Sequence, residues 1–338
     1  MIIVMSPDAT EAAIAAVVSR IHAAGLREHL SRGTERTLIG AIGDERALDP
    51  ALFERMPGVE RAMRVVREYR IVARETQPAS SVVYIRGVPF GGNAFQVIAG
   101  PSAVESELQI QSAAQAVSEA GCRLMRGAAY VQPDNPYSFQ GLGVDGLEYL
   151  RNASRQRHLP MVSTLTDVRL IETFLELDVD ALEIGARNMS NIDLLKEVGR
   201  LNKPVILKRG PAASLSEWLM AGETIAAGGN HNIIFCECGI KSFDPAYRTQ
   251  LDIAAIVALK QETHLPVIVE PAQACGKAWM VPALSCAALA AGADGLILDV
   301  HPNPAEALCH AEQALLPEQL SALIARLASL ALTQNRVL

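Results

Sequence analysis

Four cationic side chains, Arg126, Arg187, Lys208 and Arg209, stand at or just past the ends of short apolar runs: "CRLMRG", "DALEIG" and "KPVILKRG". An arginine presents a planar fork of donors that matches a carboxylate or a phosphate, and a lysine adds a compact point charge. Gathered on one rim, the four would hold a small anion. The competing use is salt bridging to Glu183, Glu237 and Asp299, which takes up some of them but not all. Lys208 has two possible roles: it anchors a carboxylate, or, desolvated among neighbouring cations, it acts as an amine nucleophile. Glu237, His301 and His310 are the candidate acids and bases. Ser102 follows "FQVIAGP", where the chain must leave a strand.

Such residues act together only if the fold brings strand ends to one side. From residue 95 onward an apolar strand recurs about every thirty residues: "FQVIAG", "CRLMRG", "PMVST", "DALEIG", "KPVILKRG", "NIIFCE", "LPVIVEP" and "DGLILDV". Segments with helical periodicity lie between them. Continuous apolar runs without alternation suit strands buried on both faces, and interleaved helices imply parallel pairing. Eight units over roughly 240 residues fit a (β/α)8 TIM barrel. An open doubly wound sheet is disfavoured because no G-x-G-x-x-G follows any strand. In such barrels the functional groups sit at the C-terminal strand ends. Those ends display Ser102 and Glu105, Arg126 and Tyr130, Ser163 and Thr164, Glu183 and Arg187, Lys208 and Arg209, Glu237 and Lys241, Glu270 and Gln273, and Asp299 and His301.

Residues 1–75 read as a separate unit. "MIIVM" is a strand, 8–24 a helix, and "REHLSRGTERTLIGAIG" two strands about a turn at Gly33. A short helix near 50–56 and the strand "VERAMRVV" complete β-α-β-β-α-β, a ferredoxin-like order suited to regulation or assembly. A linker and a hairpin with Gly91-Gly92 near its tip occupy 76–94, and the barrel fills 95–338.

The 338 residues carry a net charge of −7, which argues against nucleic acid or an anionic membrane surface as partner. No long uncharged apolar stretch exists to span a bilayer. "MIIVMSPDAT" lacks a basic segment before its apolar run, so a cytoplasmic protein is expected. The six cysteines read as reduced thiols of such a compartment, and the "CEC" spacing at 236–238 is not that of a zinc site. Trp218 and Trp279 read as packing residues, and the tail "LTQNRVL" as frayed or lying on a neighbouring subunit.

The motifs "RGTERTLIGAIGD", "IAGP", "RGAAY", "NPYSFQGLG", "GLEYLR", "IGARN", "LKRG", "HLPVIVEP" and "DVHPNPAEAL" run in order along nearly the whole chain. On them the sequence resembles the type I beta 3-deoxy-7-phosphoheptulonate (DAHP) synthases, the entry enzymes of the shikimate pathway. The resemblance implies a homodimer or homotetramer, an aromatic amino-acid effector, and condensation of phosphoenolpyruvate with erythrose 4-phosphate. It implies too a divalent metal that activates the aldehyde as a Lewis acid.

At the metal positions that the resemblance implies, Ser102 stands for a cysteine, Gln273 for a histidine, Asp299 for a glutamate and His310 for an aspartate. A hydroxyl and a carboxamide are poor donors in place of a thiolate and an imidazole. Val131, Pro133, Asp134 and Cys238 stand where the resemblance implies substrate-binding residues, and Thr164 stands for a glutamate. Arg126, Arg187, Lys208 and Glu237 remain. The expectation from these departures is a barrel with no metal or other cofactor, acting on a small pyruvate-, enolpyruvyl- or chorismate-like carboxylate, in or near secondary metabolism. The alternatives are a non-catalytic regulatory subunit and a true DAHP synthase.

Overall fold

The structure is a computed structural model that describes every residue except 33–36, 44–47, 64–68 and 134. The turn expected at Gly33, the end of "VERAMRVV" and Asp134 lie outside the described residues. The chain divides into two compact units, Met1–Glu68 and Tyr69–Leu338.

In the first unit, β1 (Ile2–Met5), β2 (Arg27–Arg32), β3 (Thr37–Ile42) and β4 (Val59–Met63) form one antiparallel sheet in the order β2-β3-β1-β4. Two helices, α1 (Glu11–Ala23) and α2 (Pro50–Glu54), supply the crossovers of a ferredoxin-like fold. Thr10 caps α1 by accepting the Ala13 N–H, and Ile14, Val17 and Ile21 recur at helical spacing to bury one stripe. Asp49 caps α2, with Pro50 in the first turn where its missing N–H costs nothing.

The second unit is a closed barrel of eight parallel strands: β7 (Gln96–Gly100), β8 (Leu124–Arg126), β9 (Met161–Thr164), β10 (Ala181–Ile184), β11 (Val205–Lys208), β12 (Ile233–Glu237), β13 (Val267–Val269) and β14 (Gly295–Asp299). All eight predicted strands are present. The helices outside include α3 (Glu107–Glu119), α4 (Val144–Gln156), α5 (Ile171–Glu176), α6 (Ile192–Gly199), α7 (Leu215–Ala227), α8 (Ile253–Glu262), α9 (Pro271–Cys275), α10 (Val281–Ala290) and α11 (Pro317–Thr333). Ser214 and Glu217 form a reciprocal capping box that starts α7. Trp218 on that helix meets Phe235 edge-on at 5.2 Å and donates its Nε1–H to the Leu207 carbonyl, so it is a packing residue. Trp279 is not: 77% of it is exposed.

The hairpin of β5 (Val83–Ile85) and β6 (Val88–Phe90) packs Val83, Ile85, Val88 and Phe90 into one cluster with Ile98, Leu124, Val162, Ala181, Ile206, Ile234, Ile268 and Ile297. Each of the eight lies before its strand's last residue, and Arg86 at the hairpin tip pairs with Asp180 just ahead of β10, so the hairpin plugs the barrel floor from its N-terminal side. The C-terminal tail is neither frayed nor detached. Phe95 N–H donates to the Val337 carbonyl, Val337 N–H to Asn93, and Arg336 pairs with Asp294 at 2.8 Å. Among the described residues no helix is long and apolar enough to cross a membrane.

Candidate active site at the barrel mouth

Side chains alternate faces along a strand, so two residues beyond each floor residue lies the next inward position. That step gives Gly100, Arg126, Thr164, Glu183, Lys208, Cys236, Glu270 and Asp299. One layer of the barrel is therefore built of two cations, three carboxylates, a hydroxyl, a thiol and a glycine. Gly100 is required there: with φ at +153°, a Cβ on it would lie 2.1 Å from the Arg126 carbonyl oxygen.

Within this layer the charges interlock. Arg126 Nη1 donates to Asp299 Oδ1 at 2.5 Å and to Glu270 Oε1 at 2.8 Å, and Nη2 lies 3.6 Å from Glu183. Lys208 Nζ lies 2.9 Å from Glu183 Oε1 and 2.7 Å from Glu270 Oε2, and donates to Gln273 Oε1 at 3.1 Å. Thr164 donates to Glu183, and Ser102 Oγ donates to Asp299 Oδ2 at 2.7 Å. Gln313 Nε2 donates to the same Asp299 oxygen, and Arg248 holds Gln313 in turn at 2.6 Å.

Burial alone would raise all three carboxyl pKa values, and the partners then decide the outcome. For Glu183, Lys208 and Arg126 outweigh burial and hold the carboxyl below its usual range. For Asp299, Arg126 does the same, helped by the bonds from Gln313 and Ser102. For Glu270, burial wins over Lys208 and Arg126, with Glu183 and Asp299 adding to it, so its pKa is raised. Burial also works against the charge on Lys208, but Glu183 and Glu270 overcome it and its pKa is raised. Lys208 is therefore a charged ammonium and not the neutral amine that a nucleophilic role requires.

Above this layer opens a cavity of about 610 Å³, within the usual range for small-molecule sites. Of the predicted site residues, Ser102, Arg126, Arg187, Lys208, Gln273 and His310 line it. Asp299 sits at its base, bonded from three sides. Arg209 and Glu237 do not line it, because they have the opposite strand parity. They pair with each other at 3.0 Å, Arg209 also reaches Asp252, and its guanidinium lies 5.8 Å from the Trp218 ring centre. His301 is likewise off the cavity: its Nε2 faces Glu105 at 3.2 Å while its Nδ1 accepts the Asn303 N–H. Glu105 also accepts the Leu308 N–H, which ties down the loop carrying Cys309 and His310. His310 has a left-handed backbone, φ +55°, and its pKa is lowered by desolvation, against the pull of Asp299. Cys238 lines the cavity as a thiol, its pKa raised by burial.

Arg248 and Gln313 belong to the site and come from long loops with no strand end to announce them. Glu183 and Glu270 were visible as strand ends, but only the two-residue alternation separates them from Glu237. Among the described residues no group of three or more His, Cys, Asp or Glu side chains is placed to hold a metal ion.

Comparison with known proteins shows what the chain is similar to. The chain matches the DAHP synthetase I family over residues 71–332 and the DAHP synthase ferredoxin-like domain over residues 1–67. It is 41% identical over 331 residues to phospho-2-dehydro-3-deoxyheptonate aldolase from Thermotoga maritima, covering 98% of both chains. It is 32% identical over 257 residues to 2-dehydro-3-deoxyphosphooctonate aldolase from Syntrophotalea carbinolica, covering 70% of this chain and 91% of that one. The crystal structure of the Thermotoga maritima DAHP synthase superposes with a TM-score of 0.80 at 40% identity, over 99% of this chain and 98% of that one. This likeness, end to end and through both units, overturns the expectation of a barrel turned away from DAHP synthesis to a small pyruvate-, enolpyruvyl- or chorismate-like carboxylate, and favours the reading as a DAHP synthase. With family models matched over both units and 41% identity along nearly its whole length, the chain belongs to the DAHP synthetase I family.

Proposed function

We propose that the chain is a DAHP synthase, condensing phosphoenolpyruvate with erythrose 4-phosphate. The observation that carries this reading is a mouth that gathers Arg126, Arg187, Lys208 and Glu270 around one cavity, in a chain 41% identical end to end to such an enzyme. The methylene carbon of phosphoenolpyruvate bonds to the aldehyde carbon, the aldehyde oxygen takes a proton, water adds at the enol carbon and phosphate leaves. Arg126 and Lys208 supply the fixed positive charge against which the carboxylate of phosphoenolpyruvate binds, and Arg187 supplies it nearer the rim. Glu270 is the proton donor. With all groups ionised, the inner layer holds two cations against three carboxylates, which repels an anion. Burial and the neighbouring Glu183 and Asp299 raise the Glu270 pKa, so of the three carboxyls it is the one most ready to take up a proton.

We infer in addition that the member is diverged at the metal positions implied by its resemblance. Ser102 and Gln273 are weak donors, Gln273 Oε1 already accepts from Lys208, and both Asp299 oxygens accept from Arg126, Ser102 or Gln313. A cation placed on Asp299 would face the Arg126 guanidinium directly. This donor set does not fit a divalent metal, and no step above uses one.

The test is formation of DAHP from the two substrates, with phosphate release followed in parallel, both with added manganese and after chelation. Glu270→Gln should lower kcat by about 10²–10⁴, the usual worth of a positioned acid. Absence of product under both conditions overturns the reading.

A further inference from the structure

On the opposite end of the barrel from the mouth lies a second cavity, of about 640 Å³. It is bounded by the C-terminal ends of α3 and α4, the starts of β8 and β9, and the tip of the floor hairpin. Five arginines line it, Arg86, Arg123, Arg151, Arg155 and Arg157, against two carboxylates, Asp178 and Asp180. In a chain of net charge −7 this is a local reversal of sign.

The two carboxylates are already spoken for. Asp180 pairs with Arg86 at 2.7 Å and accepts the Met161 N–H. Asp178 is shared among Lys203 at 3.3 Å, Arg86 at 3.4 Å and Arg155 at 3.6 Å. Arg123, Arg151 and Arg157 have no ion pair among the described residues, and the buried Arg151 Nε has no acceptor. A helix C-terminus attracts cations, but it is worth about half a charge, which accounts for at most one of the three. Grouping like charges is unfavourable unless something of opposite sign visits the site. Three unpaired guanidiniums match a multiply charged anion, and a lone carboxylate would leave two of them unmet. A phosphate ester carries about −1.5 to −2 charges and several strong acceptors for such forks.

We propose that this basic cavity is a second anion site, distinct from the mouth, that takes a small phosphorylated ligand. Val88, Leu159 and Met161 give it an apolar wall against which the rest of such a ligand rests.

The test uses the full chain with inorganic pyrophosphate as probe and hydrogen–deuterium exchange as readout, which separates this cavity from the mouth. Pyrophosphate should slow exchange in segments 118–123 and 151–161. In Arg123→Glu/Arg157→Glu the concentration needed should rise at least tenfold. Where that double variant fails to fold, Arg123→Gln/Arg157→Gln serves, with a smaller rise in the same direction. No protection of those segments, or protection unchanged in a folded double variant, overturns the proposal. So does an oligomer of the parent that dissociates in the variant without any pyrophosphate effect, since the patch is then an interface between copies.

Discussion

Replacing Arg126 by methionine would remove the cation on which the buried carboxylates depend most. Its guanidinium touches Asp299 at 2.5 Å and Glu270 at 2.8 Å and stands 3.6 Å from Glu183, and all four side chains are almost wholly buried. Removing one partner of a buried ion pair costs about 3–5 kcal/mol, because the remaining charge keeps its desolvation penalty. Here three carboxylates share one guanidinium and Lys208 stays to serve two of them, so a loss within that range is expected and no threefold multiple of it. Against a total stability of about 5–15 kcal/mol the effect is large. Its pH dependence carries the diagnosis. Arg126 lowers the pKa values of Glu183 and Asp299, so their contribution is present above the unfolded carboxyl pKa and is lost as pH falls through the folded values. The variant lacks that contribution, so parent and variant should differ most near neutrality and converge as the acids are protonated. Urea unfolding followed by Trp218 fluorescence at several pH values measures this. A difference under about 1 kcal/mol, or one that does not shrink toward acid, would show that water already solvates the layer.

Glu270→Gln should stabilise the fold at pH 8, since a carboxyl of raised pKa ionises there only at a cost, and the gain should vanish below its unfolded pKa in the same urea titrations. For the parent enzyme, KM for phosphoenolpyruvate should rise with pH as Glu270 loses its proton, a trend that initial rates in the glutamine variant should lack. Elemental analysis of the dialysed parent should find well under one divalent metal per chain, and Ser102→Cys/Gln273→His should raise that content. Gly222→Ala places a Cβ 2.5 Å from the Phe235 ring and should cost about 1–3 kcal/mol in thermal or urea unfolding, as overpacked cores do.

The barrel was legible in the sequence because its strands are apolar on both faces and recur at even spacing, and all eight sit where that spacing puts them. Strand ends also pointed to Arg126, Lys208, Glu183 and Glu270. What the ends did not separate was which of two adjacent charged residues enters the barrel. Lys208 and Arg209 differ by one position, and one position reverses the face. Lys208 goes inward to Glu183 and Glu270, while Arg209 goes outward to Glu237, Asp252 and the Trp218 ring. The floor residues hold that phase in the sequence, since Ile206 and Lys208 share a parity, as do Ile268 and Glu270. Arg248 and Gln313 were beyond reach, because loop residues carry no periodicity. The place of Trp279 and of the tail at Val337 depended on packing that no local pattern encodes.

The hairpin of Val83–Ile85 and Val88–Phe90 has a consequence for traffic. Among the described residues, a barrel stoppered at its base with Phe90 and its neighbours opens at the mouth, so molecules come and go from one side. With one ligand on Arg126 and Lys208, deep in the shaft, and a second nearer Arg187 and His310, the deeper one would have to enter first and leave last. Under the proposed function, the order of arrival and exit then follows from the shape of the shaft.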